Sequence, residues 1–385
     1  MTYDFDMLVD RRGTWCVQWD GAARRFGADG LLPFTISDMD FPSPPEVLDA
    51  LQRRVAHGVF GYTDWRQEDF LSAVSHWFGS RYGTDIDTER IVYAPSVLNQ
   101  LSQLLRMWTG PGDGVVVHTP TYDGFLKAIS GLGRDLRGAP AGDMAALERQ
   151  LARPDSKVLV LCSPHNPTGR VWTEAELTET ARLAAAYDVA VVSDEIHADF
   201  VHPEFVAGGQ RHLPWTRFGS GRWALVTSAT KAFNFPALSG SYGIIGDPED
   251  HAEFLRRMQT GEGLASPAVL SLTAHIAAYR EGGPWLDALG AYVAGNLRMV
   301  AEKLDSAFGL NWSPPEAGYL AWIDLRPLGV DDAALQRELI EREKVAIMPG
   351  TVYGAEGFVR LNVGCPRSKA EAGVDALVRA LTRLT

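Results

Sequence analysis

The sequence predicts an α/β protein, with one large domain whose mostly parallel sheet is sandwiched by helices, and a smaller α/β domain. Short apolar strands alternate with amphipathic helices through the middle of the chain. At 385 residues the chain exceeds one average domain. Strand and helix stretches then resume after a long helical segment near the C-terminal third. The Pro-rich stretch FPSPP at 41–45 marks an early boundary. The expected division is 46–282 for the large domain, with 1–45 and 283–385 forming the small one.

The elements follow in order. Val97–Trp108 reads as a helix, with Leu98, Leu101, Leu104, Leu105 and Trp108 on one face. The turn Pro111-Gly112-Asp113-Gly114 leads into a buried strand at 115–118. A helix at 121–130 and a strand at 157–161 come next. The helix at 173–187 opens with Thr173 as N-cap and Glu176 three residues on, the spacing of a capping box. Strands follow at 189–193, 223–227 and 242–245. The C-terminal part reads as a helix at 286–308, a strand at 319–324, a helix at 332–342, a strand at 358–363 and a closing helix at 368–384.

Composition excludes several classes of function. With 46% hydrophobic and 22% charged residues the chain is globular, not disordered. A net charge of −12 argues against nucleic acid as a partner, since phosphate backbones want a basic surface. Cys16, Cys162 and Cys365 form no CxxC and no disulfide framework. MTYDFDMLVDRRGTW lacks the apolar core of a signal peptide, and no apolar run is long enough to cross a bilayer. A soluble, cytoplasmic protein without membrane contact is expected.

In open parallel sheets, ligands bind beyond the carboxyl ends of the strands. Four such ends carry chemistry here. Tyr122 follows the first strand, Asn166 the second, Asp194 the third and Lys231 the fourth. An aromatic ring, an amide, a carboxylate and a lysine suit a flat, cationic, electrophilic ring. Pyridoxal phosphate fits: a lysine forms a Schiff base with its aldehyde, and a carboxylate keeps its pyridine nitrogen protonated. Each residue also has an ordinary reading: a surface lysine, a helix cap, turn chemistry in Asn-Pro-Thr-Gly, a core tyrosine.

Seven motifs point to a known family. SDMDFPSP (37–44), GYTD (61–64), PTYDGF (120–125), SPHNPTGRVW (163–172), SDEIHADF (193–200), TSATKAFNFPALSG (227–240) and GFVRLNVGCPR (357–367) span nearly the whole chain. The sequence resembles fold-type I pyridoxal-phosphate enzymes of the class I/II aminotransferase group. Within it, the chain is most similar to the MalY/PatB-type carbon–sulfur β-lyase branch, known for cystathionine β-lyase activity.

The resemblance implies roles residue by residue. Lys231 would form the Schiff base and then act as base on the substrate Cα proton. Asp194 would partner the pyridine nitrogen, Asn166 the ring oxygen, and Tyr122 would stack on the ring and border the substrate. His197 stands where related aminotransferases commonly carry tyrosine. Ser96, Val97 and Leu98, at a helix start, with Ser228 and Thr230, would hold the phosphate. The family usually has glycine near Ser96, so the chain departs there. No arginine lies between Lys231 and Arg256, where many aminotransferases place one for the phosphate. Tyr62 would reach the phosphate of a neighbouring subunit, which implies a homodimer. Arg360 would pair the substrate carboxylate. Asp38, with Met39, Asp40 and Tyr319, would shape the substrate pocket.

The implied activity is β-elimination from an S-conjugated cysteine, releasing thiol, pyruvate and ammonia. A transaminase, or an enzyme processing a larger cysteine S-conjugate, are the alternatives. Three other readings find less support. Asp194, His197, Asp199 and His202 match no metal-binding spacing. Ser228-Ala229-Thr230-Lys231 spells SxxK, but Asn234 and Pro236 interrupt the helix that motif needs, and KTG and SDN are absent. A non-catalytic regulator on this fold would not need every chemical position filled.

Overall fold

The computed structural model describes residues 3–385. Its strands are β1 (Leu32–Phe34), β2 (Ile91–Ala94), β3 (Gly114–Thr119), β4 (Asp135–Pro140), β5 (Ser156–Cys162), β6 (Ala190–Asp194), β7 (Trp223–Thr227), β8 (Ser241–Ile245), β9 (Leu320–Asp324), β10 (Val345–Pro349) and β11 (Phe358–Asn362).

Seven of them form one sheet in the order β2-β8-β7-β6-β5-β3-β4. The pairs from β7 through β4 are parallel, while β8 runs antiparallel to both β7 and β2. The central strands are buried on both faces, and this explains their unbroken Val and Leu runs. Alternation still sorts the side chains. Val115, Val117, Val158, Val160 and Val192 pack with Leu101, Leu104, Leu105, Trp108, Phe125 and Ile129 on one side. Val116, Leu159, Leu161 and Val191 face the other side, with Leu147, Leu177 and Leu183. The two helix layers are thus dictated by a two-residue period in the strands.

A second, four-stranded sheet has the order β1-β10-β11-β9. β1 lies parallel to β10, and the other pairs are antiparallel. The N-terminal segment therefore joins a sheet otherwise built near the C-terminus. The helices Gly283–Phe308 and Arg367–Leu384 accompany it. A Cβ on Gly373 would come within 2.5 Å of the Phe34 ring, so the closing helix lies against β1 only because that position is glycine.

The expected helix Val97–Trp108 and strand Trp223–Thr227 appear with those bounds. The capping box is present: Thr173 Oγ1 accepts the Glu176 N–H, and Glu176 accepts the Thr173 N–H. Several expectations need correction. The helix expected from 121 starts at Asp123, because Tyr122 is extended (φ −62°, ψ 129°) and turns its ring toward the strand ends. The helix expected over 332–342 is α-helical only through Arg337, and a wider turn carries it to Glu343 before Lys344 reverses the chain at φ 56°. Tyr319 precedes β9 rather than opening it. The structure adds strands β1, β2, β4 and β10 and the helices Pro45–His57, Glu68–Trp77, Met144–Leu151, Pro248–Arg256 and Val269–Glu281 to the expected elements.

Candidate active site

The carboxyl ends of β3, β5, β6 and β7 converge on a cavity of about 190 Å³. Tyr122, Asn166, Asp194, His197 and Lys231 all line it, together with Ser96, Val97, Leu98, Ser228 and Thr230. The parallel register accounts for the gathering: Cys162 at the end of β5 stands opposite Asp194 at the end of β6, so the loops leave the sheet on one edge.

Lys231 sits four residues after β7 in a run of turns and is not on a helix. Its Nζ donates to the Ser37 carbonyl at 2.8 Å. Burial pushes the amine down to about 8, with Asp38 opposing the shift and Arg360 adding to it. Tyr319 donates to the same Ser37 oxygen at 2.9 Å. Asp194 is buried, and burial pushes its carboxyl up to about 7, against the Ile196 N–H that it accepts at 3.1 Å. A buried carboxylate in this state is complementary to a cationic ring nitrogen.

Asn166 Oδ1 accepts from Arg360 Nη1 at 3.0 Å. That bond fixes the amide orientation and leaves Nδ2 as the group Asn166 can offer a ligand. The backbone N–H of Asn166 is 3.4 Å from Cys162 Sγ. The Tyr122 ring lies so close to Gly124 that a Cβ there would come within 2.3 Å of it. His197 is buried and is held down to about 3 by burial, with Lys231 and Arg360 adding to the shift, so it is neutral.

One side of the cavity is rich in neutral donors. Ser96 caps its helix by accepting the Asn99 N–H at 3.1 Å, which leaves the Val97 and Leu98 N–H groups without intrahelical partners. Ser228 and Thr230 add hydroxyls, and Ser239 and Gly240 close the loop beside them. Gly240 must be glycine, since a Cβ would come within 2.0 Å of Ser271 Oγ.

A larger cavity of about 740 Å³ shares Ser37, Tyr122 and Lys231 with the first, and is also lined by Arg360 and Asp38. Arg360 projects from β11, buried, with its Nη2 donating to the Thr35 carbonyl at 3.0 Å and its guanidinium over the Tyr353 ring at 4.4 Å. Its Nε is buried without a partner. Among the described residues no carboxylate pairs with it. Such a guanidinium is poised for an incoming carboxylate. Asp38 is less free than the sequence implied: Arg11 holds its Oδ2 at 2.6 Å, while Oδ1 is buried and unpartnered.

Tyr62 is fully exposed and lines neither cavity. Asp199 and His202, considered above as metal ligands, are engaged elsewhere. Asp199 accepts from Tyr82 and Trp77, and His202 bonds the Gly318 carbonyl. Sequence reasoning missed Arg11, the Ser37 carbonyl, Tyr353 and His275. Only Ser37 lay inside a motif that had been singled out.

Residues 29–377 match the family described as Aminotransferase class I and II. The chain belongs to that family. Among its relatives, Protein MalY of Escherichia coli is 52% identical, over 98% of this chain and 99% of that protein. Cystathionine beta-lyase PatB of Bacillus subtilis is 36% identical, over 98% of this chain and all of that one. The crystal structure of cystalysin from Treponema denticola, which contains a pyridoxal 5'-phosphate cofactor, superposes with a TM-score of 0.92 at 29% identity, covering 100% of both chains. These likenesses run the full length of the fold, so both sheets are features that this family member shares.

Proposed function

We propose that the chain is a pyridoxal-phosphate-dependent carbon–sulfur β-lyase acting on cysteine S-conjugates of the cystathionine kind. The observation that carries the reading is the bridge between the two cavities. The residues suited to the cofactor lie in one, the unpaired Arg360 faces the other, and Lys231 borders both. The names of PatB and of several solved neighbours agree with it.

The residues present fit the cofactor: a buried carboxylate raised by burial, a buried lysine lowered by it, and a donor-lined recess. Asp194 would hold the ring nitrogen's proton, Tyr122 would cover one ring face, and Asn166 Nδ2 would donate to the ring oxygen. Ser96, Val97, Leu98, Ser228 and Thr230 would hold the phosphate. When bound, the cofactor supplies an aldehyde for amine exchange and an electron-accepting ring. Arg360 binds the substrate α-carboxylate and so orients Cα toward Lys231. The free Lys231 amine, basic near neutral pH, removes the Cα proton. His197, neutral and buried, excludes water beside the ring. The sulfur departs from Cβ as thiol, and water addition to the remaining three-carbon fragment gives pyruvate and ammonia.

The same reading places Tyr62 in the site of a second copy, making the enzyme a homodimer. Three free, buried cysteines accord with a reducing, cytoplasmic setting. Among the described residues no helix is long and apolar enough to cross a membrane. The working division remains 46–282 against 1–45 with 283–385.

The test mixes purified protein with cystathionine and S-alkyl cysteines, following absorbance, pyruvate and free thiol together. Equal release of pyruvate and thiol without an added keto acid is expected. Bleaching of the cofactor colour that stalls until a keto acid is supplied would overturn the lyase in favour of a transaminase.

A further inference from the structure

Behind the donor-rich side of the smaller cavity lies a buried histidine that no sequence motif flagged. His275 sits on the helix Val269–Glu281, enclosed by the rings of Phe70, Phe235 and Tyr279. Its Nδ1 is 2.8 Å from the Ser271 carbonyl, and its Nε2 is 3.1 Å from Ser228 Oγ. A carbonyl only accepts, so Nδ1 carries a hydrogen.

The Ser228 hydroxyl has one hydrogen. Its shortest contact is the Gly240 carbonyl at 2.7 Å, again an acceptor only. With that hydrogen spent, Ser228 Oγ turns its lone pairs to the Thr230 N–H at 3.2 Å and to His275 Nε2. A neutral ring with its hydrogen on Nδ1 would set lone pair against lone pair at that second contact. The doubly protonated ring supplies the missing hydrogen at that contact.

In the chain alone, burial holds His275 down to about 4. The ionisable groups nearest it are phenols: Tyr279 on its own helix, and Tyr93 of β2 through Ser271. Serine, threonine and phenylalanine complete its surroundings from the turn after β7, the 235–240 loop and the helix Glu68–Trp77. Among the described residues no carboxylate or cation contributes to the shift. The network is thus one hydrogen short, and no charge is at hand to supply a reason for it.

A phosphate monoester dianion beside Ser228 and Thr230 supplies that reason, because a buried anion favours the charged form of a nearby base. We infer that His275 takes up a proton as the cofactor's phosphate enters, and thereby places a positive charge behind Ser228 in a chain that has no arginine between Lys231 and Arg256. His275 is a positioning residue: it acts through Ser228 and touches no ligand itself. The inference rests on the proposed cofactor reading.

The experiment is calorimetric titration of cofactor-free protein at pH 7.5, in two buffers of different ionisation enthalpy, with pyridoxal phosphate and separately with pyridoxal. Subtracting the pyridoxal result removes the protons exchanged at the aldehyde and at Lys231. An excess uptake of about one proton with the phosphorylated ligand is expected. The His275→Gln variant should lose that excess, weaken pyridoxal phosphate binding more than roughly tenfold and leave pyridoxal binding within about twofold. No excess uptake by the unaltered protein overturns the inference, whatever the variant does. Equal weakening for both ligands also overturns it, because it marks general damage to the fold. If the protein binds neither ligand, the cofactor reading itself falls and takes the inference with it.

Discussion

Arg360 Nη1 donates to Asn166 Oδ1 across 3.0 Å, joining residues 194 positions apart. One end of the pair belongs to the small sheet through β11, the other to the loop after β5 in the large sheet. The group suited to a substrate carboxylate is therefore wired to the group suited to the cofactor ring oxygen.

The two residues should not behave independently. Arg360→Lys keeps the charge and loses the planar fork, so kcat/KM should fall roughly 10- to 100-fold, mostly through KM. Asn166→Ala should lower cofactor affinity and also raise KM, because it frees the guanidinium to turn. In the double variant the combined loss in kcat/KM should be smaller than the product of the single losses. Strict multiplication of the two effects would sever the proposed connection.

Lys231→Ala should abolish thiol release, with kcat reduced by at least roughly a thousand-fold, since the proposed reading has both amine exchange and Cα proton removal depend on the one amine. Cofactor should still associate through the phosphate donors. Retention of more than a few per cent of wild-type pyruvate formation would mean another base acts.

Asp194 gives a pH signature in the cofactor-free protein. Its carboxyl titrates near 7 in the fold, against an ordinary 3.8, because burial disfavours the charged form. The protonated group's favourable share of stability is complete below about 3.8 and is lost as pH rises through about 7. Asp194→Asn removes the buried charge. The cofactor-free variant should be more stable than wild type at pH 8, by at most roughly 4 kcal/mol, and so melt higher, and the gap should close by pH 4. A melting difference that does not change with pH would show that Asp194 is not held as described. The same variant should bind cofactor more weakly.

Tyr62 is fully exposed in its own chain. If it completes a partner's site, Tyr62→Ala and Lys231→Ala chains should each be impaired alone and recover activity when unfolded and reassembled together. Random pairing would restore about a quarter of the sites, since each mixed dimer holds one intact site. No recovery on mixing would remove the shared-site dimer.

The sequence made the chemistry of this site legible where residues follow strands. Tyr122, Asn166, Asp194 and Lys231 each come just after an apolar run, and parallel strands deliver successive loops to one edge, so local pattern carried long-range meaning. Arg11 could not be found this way. It lies in an irregular N-terminal segment, and its value comes from Asp38 and Asp40, which it meets only in the folded chain. His275 was hidden for a different reason. Its helix buries Ser271, Leu272, Ala274, His275, Ala277, Ala278 and Tyr279, so no periodic face set the histidine apart. The antiparallel course of β8 was also invisible, because a strand buried on both sides reads alike in either direction.

The pairing of β1 with β10, Leu32 opposite Val345, has a consequence for the order in which the molecule is made. On the ribosome β1 emerges about 313 residues ahead of its hydrogen-bonding partner. Closing so long a loop is slow and comes after the nearer contacts of β2 through β8 have formed. The Ser37 carbonyl that holds Lys231 and the Thr35 carbonyl that holds Arg360 both follow β1 closely. A nascent chain can thus assemble its large sheet and still leave its lysine unanchored. The site is completed only once β10 has emerged to receive β1.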